Sequence, residues 1–289
     1  MPKLIVELKQ HTPIYHFQYG DSGVTIRSTE LKSALDRFLL THDTDAVKRF
    51  MIKSHEDNKQ PIKALDYRLK IQAPSTSNPS LRPEGWRNIG SFPPSEKNDK
   101  ELVYCNDFIS ITFLTAHNTL LDCIKKWIGP FMASHNFGYQ KLKGFGSYSV
   151  AKIGGDNYET SITADMRKAL GNEPLYEISA EMRSNIGWDN ALAKAAAVRS
   201  SLRALFYKTN QRKESPFLFK PVLEDNMWRV YVIKRDWNNT DIAGATLDCK
   251  NAAYKGRKVA SQEDYNIIVG KLLNTWKENG MIKEVKSCE

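Results

Sequence analysis

The chain is poor in cysteine. Its four, Cys105, Cys123, Cys249 and Cys288, form no Cys-x-x-Cys pair and no Cys/His cluster at zinc spacing, which argues against a disulfide frame and a structural zinc. Long apolar runs are missing too, and no window approaches the length of a membrane span. Charges interrupt the opening stretch Met1-Pro2-Lys3-Leu4-Ile5-Val6-Glu7-Leu8-Lys9, so neither a signal-peptide core nor a cleavage site is expected, and the expected location is cytoplasmic. Acidic residues are in deficit: 33 Asp and Glu stand against 42 Lys and Arg, a formal net charge of +9. That surplus favours an anionic partner, nucleic acid among them, although basicity also serves solubility alone. No residues fall at the spacing of a catalytic triad or a metal-ligand motif, and no cofactor is called for.

What is present is ample core material, 41% hydrophobic residues in 289, enough for one elaborated domain or two small ones. Leu4 to Leu8 reads as a buried strand and Val24-Thr25-Ile26 as a short β-branched run. Ser28 and Thr29 offer N-caps to a helix with Leu31, Leu35, Phe38 and Leu39 on one face. From Leu65 to Ala73 the alternation is strict, Leu65, Tyr67, Leu69 and Ile71 facing one way and Asp66, Arg68, Lys70 and Gln72 the other. Residues 74–100 collect proline, serine and asparagine around Trp86 and Phe92, the composition of a surface loop or of a finger reaching a partner. Phe108 to Leu114 is a second strong strand. A helix follows from Asn118 or Thr119, with Leu120, Leu121, Ile124, Trp127, Ile128 and Phe131 at three- and four-residue spacing. Tyr148 to Ile153 resumes as a strand.

This order, strand, helix, strand, strand, helix, strand, predicts an α+β fold: a ferredoxin-like, RRM-like βαββαβ domain over residues 1–155 with the 74–100 loop inserted. Residues 156–289 form an appended α+β lobe, either simply helical with a hairpin or a degenerate second RRM-like unit. In it, Trp188 to Tyr207 is patterned as a helix, a hairpin turns around Glu224-Asp225-Asn226, and Ser261 caps a closing helix.

The loop Lys141-Leu142-Lys143-Gly144-Phe145-Gly146-Ser147 has two glycines around an aromatic, with two lysines just before. Lying between helix and strand, it is neither a P-loop nor a Rossmann turn, both of which sit between strand and helix. Bare backbone N–H groups and positive charge near a phosphate are one reading; close approach by neighbouring protein, or a simple turn, is the other. Lys194 to Lys220 holds seven basic residues against one acid. On the helix, Arg199 and Arg203 flank one side of the apolar face and Lys194 and Lys208 the other, as snorkelling rims; Arg212 and Lys213 beyond it are better phosphate candidates. His11, His16 and His42 are candidates for metal-independent acid–base chemistry, and Asp21, Asp36, Asp43 and Asp45 for a divalent metal, though no spacing rule unites either set.

Three patches together resemble the RAMP superfamily of CRISPR-associated RNA-binding proteins. Leu8-Lys9-Gln10-His11-Thr12-Pro13 with Gly23-Val24-Thr25-Ile26-Arg27-Ser28-Thr29-Glu30-Leu31-Lys32-Ser33-Ala34-Leu35 is similar to the family's first strand and helix, with Ser33 where glycine is usual. Asn136-Phe137-Gly138 and Lys143-Gly144-Phe145-Gly146-Ser147 resemble its glycine-rich loop. Lys213-Glu214-Ser215-Pro216-Phe217-Leu218-Phe219-Lys220-Pro221 is similar to a strand of the subunit that caps Cmr-type effector complexes. The resemblance implies a non-enzymatic subunit binding guide RNA and target RNA beside other RAMP subunits of a type III-B ribonucleoprotein in antiviral defence, with no membrane partner. On that footing Lys141, Lys143, Gly144, Phe145, Gly146 and Ser147 contact the sugar-phosphate chain, Phe145 stacks or wedges, and Arg27 and Lys32 add charge. It leaves open two alternatives, a repeat endoribonuclease using His16 or His11, and a structural subunit whose loops bind protein.

Overall fold

A computed structural model describes residues 1–15, 26–52, 64–73, 102–179, 182–183, 187–202, 205–207, 215–236, 244–248 and 255–285. The chain divides into two compact units. Among the described residues the first comprises those up to Tyr139 and again Phe145–Glu173; the second holds Gln140–Gly144 and everything from Pro174 onward.

The first unit runs β1 (Lys3–Gln10), β2 (Ile14–Tyr15), α1 (Ser28–His42), α2 (Thr44–Val47), β3 (Arg68–Gln72), β4 (Leu102–Val103), β5 (Ile109–Leu114), α3 (Asn118–Ser134), β6 (Tyr148–Ile153), β7 (Asp156–Asn157) and α4 (Ile162–Leu170). Its main sheet has the order β3-β5-β1-β6-β7, all pairs antiparallel. Stripped of the edge strand β7, this is the ferredoxin-like arrangement, the first and third strands central and the second and fourth outside. Alternation builds the core: Val6 and Leu8 from β1 and Ile109, Ile111 and Phe113 from β5 share one cluster with Leu31, Leu35 and Phe38 of α1 and Ile124, Ile128 and Phe131 of α3. Each such side chain contributes roughly 1.5–3 kcal/mol by leaving water.

Local details depart from the sequence reading. Arg27, in extended conformation, occupies the α1 N-cap position with no side-chain cap bond, and Ser28 already lies inside the helix. The unit closes at Glu173, well beyond residue 155, because α4 packs on α3. Gly129 permits that approach: a Cβ there would lie 2.1 Å from the Tyr158 hydroxyl oxygen and 2.6 Å from Asp165 Oδ2. The runs at 16–25, 53–63 and 74–100, with His16, Asp21 and most of Val24-Thr25-Ile26, lie outside the described residues, as do Arg203, Lys208, Arg212 and Lys213.

The second unit contributes a 3-10 turn (Lys141–Lys143), β8 (Tyr176–Ile178), β9 (Met182–Arg183), α5 (Trp188–Leu202), β10 (Leu205–Tyr207), β11 (Phe217–Glu224), β12 (Met227–Lys234), β13 (Thr246–Asp248), α6 (Gln262–Glu278) and β14 (Ile282–Glu284). Its principal sheet is ordered β11-β12-β8-β14, again antiparallel throughout. With α5 after β8 and α6 before β14, the βαββαβ order and the same strand neighbours recur. Asp225 and Asn226 turn the β11–β12 hairpin at φ +49° and +58°, the two left-handed positions that a two-residue hairpin loop requires. Ser261 caps α6, its hydroxyl accepting from the Asp264 N–H at 3.2 Å. Phe217, Phe219, Val230, Val232, Tyr265, Ile268, Leu272 and Trp276 form the second core.

Candidate nucleic-acid interface

The glycine loop is built chiefly by its own turns. Gly138, Gln140, Gly144 and Gly146 all take positive φ, so the chain reverses repeatedly between α3 and β6. Gly146 sits at φ +64°, and a Cβ on it would lie 2.0 Å from the Phe137 carbonyl oxygen. A Cβ on Gly144 would lie 2.8 Å from both Leu192 Cδ2 and Pro221 Cγ. Both glycines therefore admit neighbouring protein, the second of the readings that the sequence left open.

The loop's N–H groups are also engaged within the protein. Gly144 donates to Lys141 O at 3.2 Å, Gly146 to Pro13 O at 2.8 Å, and Ser147 to Thr12 Oγ1 at 3.0 Å. Ser147 is fully buried, and its carbonyl accepts from the His11 N–H at 2.8 Å. Phe145 is 1% exposed. The expected backbone grip on a phosphate and the expected stacking by Phe145 are therefore corrected: those atoms hold the loop together, because an amide N–H without a partner in the interior is costly.

What the loop offers to an anion is its lysines. Lys141 is exposed and Lys143 half-buried in the 3-10 turn, which packs on β11 and α5. Burial first, and the Arg199 charge second, pull the Lys143 ammonium down to about 8. Burial alone pulls Arg199, on α5, down to about 10. A cation held down by burial and by a neighbouring charge gains from an anion beside it. The sequence placed Arg199 on a helix rim; only its position on the same side as the turn makes it a partner of Lys143. Lys220 on β11 is fully buried, and burial holds it well below the ordinary lysine range.

The remaining candidates scatter. Lys32 donates to Asp36 Oδ2 at 3.0 Å and to the Leu65 carbonyl at 2.7 Å, with its Nζ 3.6 Å from the centre of the Tyr67 ring. It ties α1 to Leu65, in the segment that leads into β3, instead of extending charge outward. Arg27 is half-exposed at the head of α1. His11 is 1% exposed, with Nε2 2.8 Å from Ser149 Oγ, and the His42 ring nitrogens lie against the carbonyls of Phe38 and Ala169. Among the described residues no group of three or more His, Cys, Asp or Glu is placed to hold a metal ion, and no helix is long and apolar enough to cross a membrane.

Tandem ferredoxin-like units with a glycine loop before the fourth strand of the first agree with the RAMP resemblance of the sequence. The Cmr1 N-terminal domain profile matches residues 1–205, and the chain belongs to that family. Cmr1 from Pyrococcus furiosus, in its apo crystal structure, is similar at a TM-score of 0.50 and 10% identity, with 98% of each chain covered, a likeness of fold. A chain of the type III-B Cmr-beta complex bound to cognate target RNA and AMPPnP matches at a TM-score of 0.41 and 10% identity, over 94% of this chain and 99% of that one. An RAMP protein binding different RNA substrates matches at a TM-score of 0.26 and 10% identity, over 98% and 99%. No curated protein matches.

Proposed function

We propose that this chain is a non-catalytic RNA-binding subunit of a type III CRISPR ribonucleoprotein effector complex, contacting guide and target RNA beside other RAMP subunits in the cytoplasm. Membership of the Cmr1 family supports the assembly. The observation that carries RNA contact is the basic 3-10 turn, where Lys141 is exposed and Lys143 shares a desolvated setting with Arg199. A non-catalytic role draws support from His11, whose buried ring faces Ser149 and has no open approach for a ribose hydroxyl.

A salt series tests the reading. For single strands log K falls with log salt by about 0.7 per phosphate neutralised, so Lys141→Ala with Lys143→Ala should flatten the slope by about 1.4. An unchanged slope rejects phosphate contact by the turn. The pH dependence supplies a second reading. Lys143 loses its charge as pH passes about 8, so RNA affinity should fall between pH 7 and 9.5, and Lys143→Arg should largely abolish that fall because guanidinium stays charged.

A further inference from the structure

The first unit's sheet has a second face, opposite α1 and α3, on which the glycine loop plays no part. Strand register sets its content. Arg68, Leu114 and Lys3 stand in one row across three strands, Lys70, Thr112 and Ile5 in the next, and Gln72, Ser110, Glu7 and Lys152 in a third. Lys9 follows Glu7 two positions along β1 on the same face. The patch thus extends about 20 Å along β1, from Lys3 to Lys9, and about 14 Å across four strands.

Its charge is lopsided. Lys3, Lys9, Arg68 and Lys70 are exposed and have no carboxylate partner among the described residues. Glu7, the one acid within the rows, is already paired with Lys152 at 3.2 Å. Among the described residues acids stand only at the rim, Asp66 beside His117 at 3.4 Å and exposed Asp107 and Asp156 at strand ends. Between the cations lies a half-buried floor of Ile5, Ser110, Thr112 and Leu114. Phe108, at the foot of β5, is 45% exposed, with Lys152 Nζ 5.2 Å from its ring centre. An exposed aromatic at the margin of a cationic face combines the two features that hold single strands, charge along the backbone and a ring on which a base stacks.

We infer that this sheet face is a second RNA-binding surface, separate from the 3-10 turn, which carries a single-stranded segment across β3, β5, β1 and β6, its phosphates on Lys3, Lys9, Arg68 and Lys70 and one base on Phe108. The inference rests on the RNA-binding reading and adds a path to it. A charged edge strand such as β3 also discourages sheet-to-sheet aggregation, and that purpose alone predicts no RNA contact.

The test uses the full chain and a fluorescein-labelled oligouridylate. The three side chains in Lys9→Glu, Arg68→Glu, Lys70→Glu are exposed, so the thermal melt should change little, while the log K against log salt slope should flatten by about 2, at about 0.7 per phosphate lost. Phe108→Ala should weaken binding about fivefold or more with the slope intact, since stacking is insensitive to salt. If wild-type protein binds with a salt slope that the triple variant leaves unchanged, the sheet-face inference is overturned while the RNA-binding reading stands. Loss of co-purifying effector subunits with an unchanged slope overturns it as well, marking a protein interface. Absence of salt-dependent binding by the wild type defeats both.

Discussion

Phe145 illustrates how one buried side chain redirects a functional expectation. Between two glycines, with lysines upstream, its ring is positioned in sequence as a stacking platform; at 1% exposure it is core. Phe145→Ala should therefore cost about 3–5 kcal/mol in a denaturant melt, without altering the salt slope of RNA binding. Lys141→Ala should leave stability within about 0.5 kcal/mol while weakening RNA. Lys32 makes the same point: a lysine at the head of a helix invites a phosphate reading, yet the buried Asp36 carboxylate claims its charge. Lys32→Ala should lower stability by about 2 kcal/mol or more, the cost of leaving that carboxylate without its cation, and should leave the salt slope where it was. No pattern of residue types along the chain distinguishes these lysines, because what separates them is a partner 33 residues away in Leu65 and a burial that alternation alone does not assign.

At the scale of elements, the α3–α4 contact holds a titratable group that governs stability. Asp165 is 4% exposed, accepts from the Tyr158 hydroxyl at 2.9 Å, and is pushed up to about 6 by burial, with the Tyr158 bond and Lys168 pulling the other way. Its ordinary value is 3.8, so between about pH 4 and 6 the native state holds a proton that the unfolded chain has released. This group's contribution is therefore most favourable below pH 4 and declines as pH rises through 6, by up to about 3 kcal/mol. Asp165→Asn keeps an acceptor for Tyr158 and should remove that decline, measurable as a flatter melting temperature between pH 4.5 and 7.5. Strands β1, β3, β5 and β6 and helices α1 and α3 of the first unit were legible from periodicity, down to Leu69 and Ile71 facing the core and Arg68 and Lys70 facing out, whereas β2, β4, β7, α2 and α4 were too short or too weakly patterned to be read. The α3–α4 packing was not, because Gly129 inside an apolar helix gives no sign along the chain of what approaches it.

For the whole molecule, two units share one βαββαβ order. The second was hard to read because β8 and β14 have three residues each and α5 has only a weak apolar stripe, so strand and helix signals are short. On the proposed non-catalytic reading, labelled repeat RNA incubated with the pure protein in chelator should be recovered uncut. Specific cutting lost in His11→Ala or His16→Ala would establish the endoribonuclease alternative.

The sequence by itself determined the basic balance, the alternation that sorts the first sheet into a core face and a cationic face, and the order of elements that selects a ferredoxin-like fold, since each follows from local periodicity and side-chain chemistry. Tertiary structure alone decided which cations are paired within the protein and which stand exposed. It turned Lys32 to a buried carboxylate, brought Arg199 to Lys143, and engaged the loop's N–H groups at Gly144, Gly146 and Ser147 with acceptors of the protein. Burial and pairing are properties of neighbours in space, and a linear chain does not carry them.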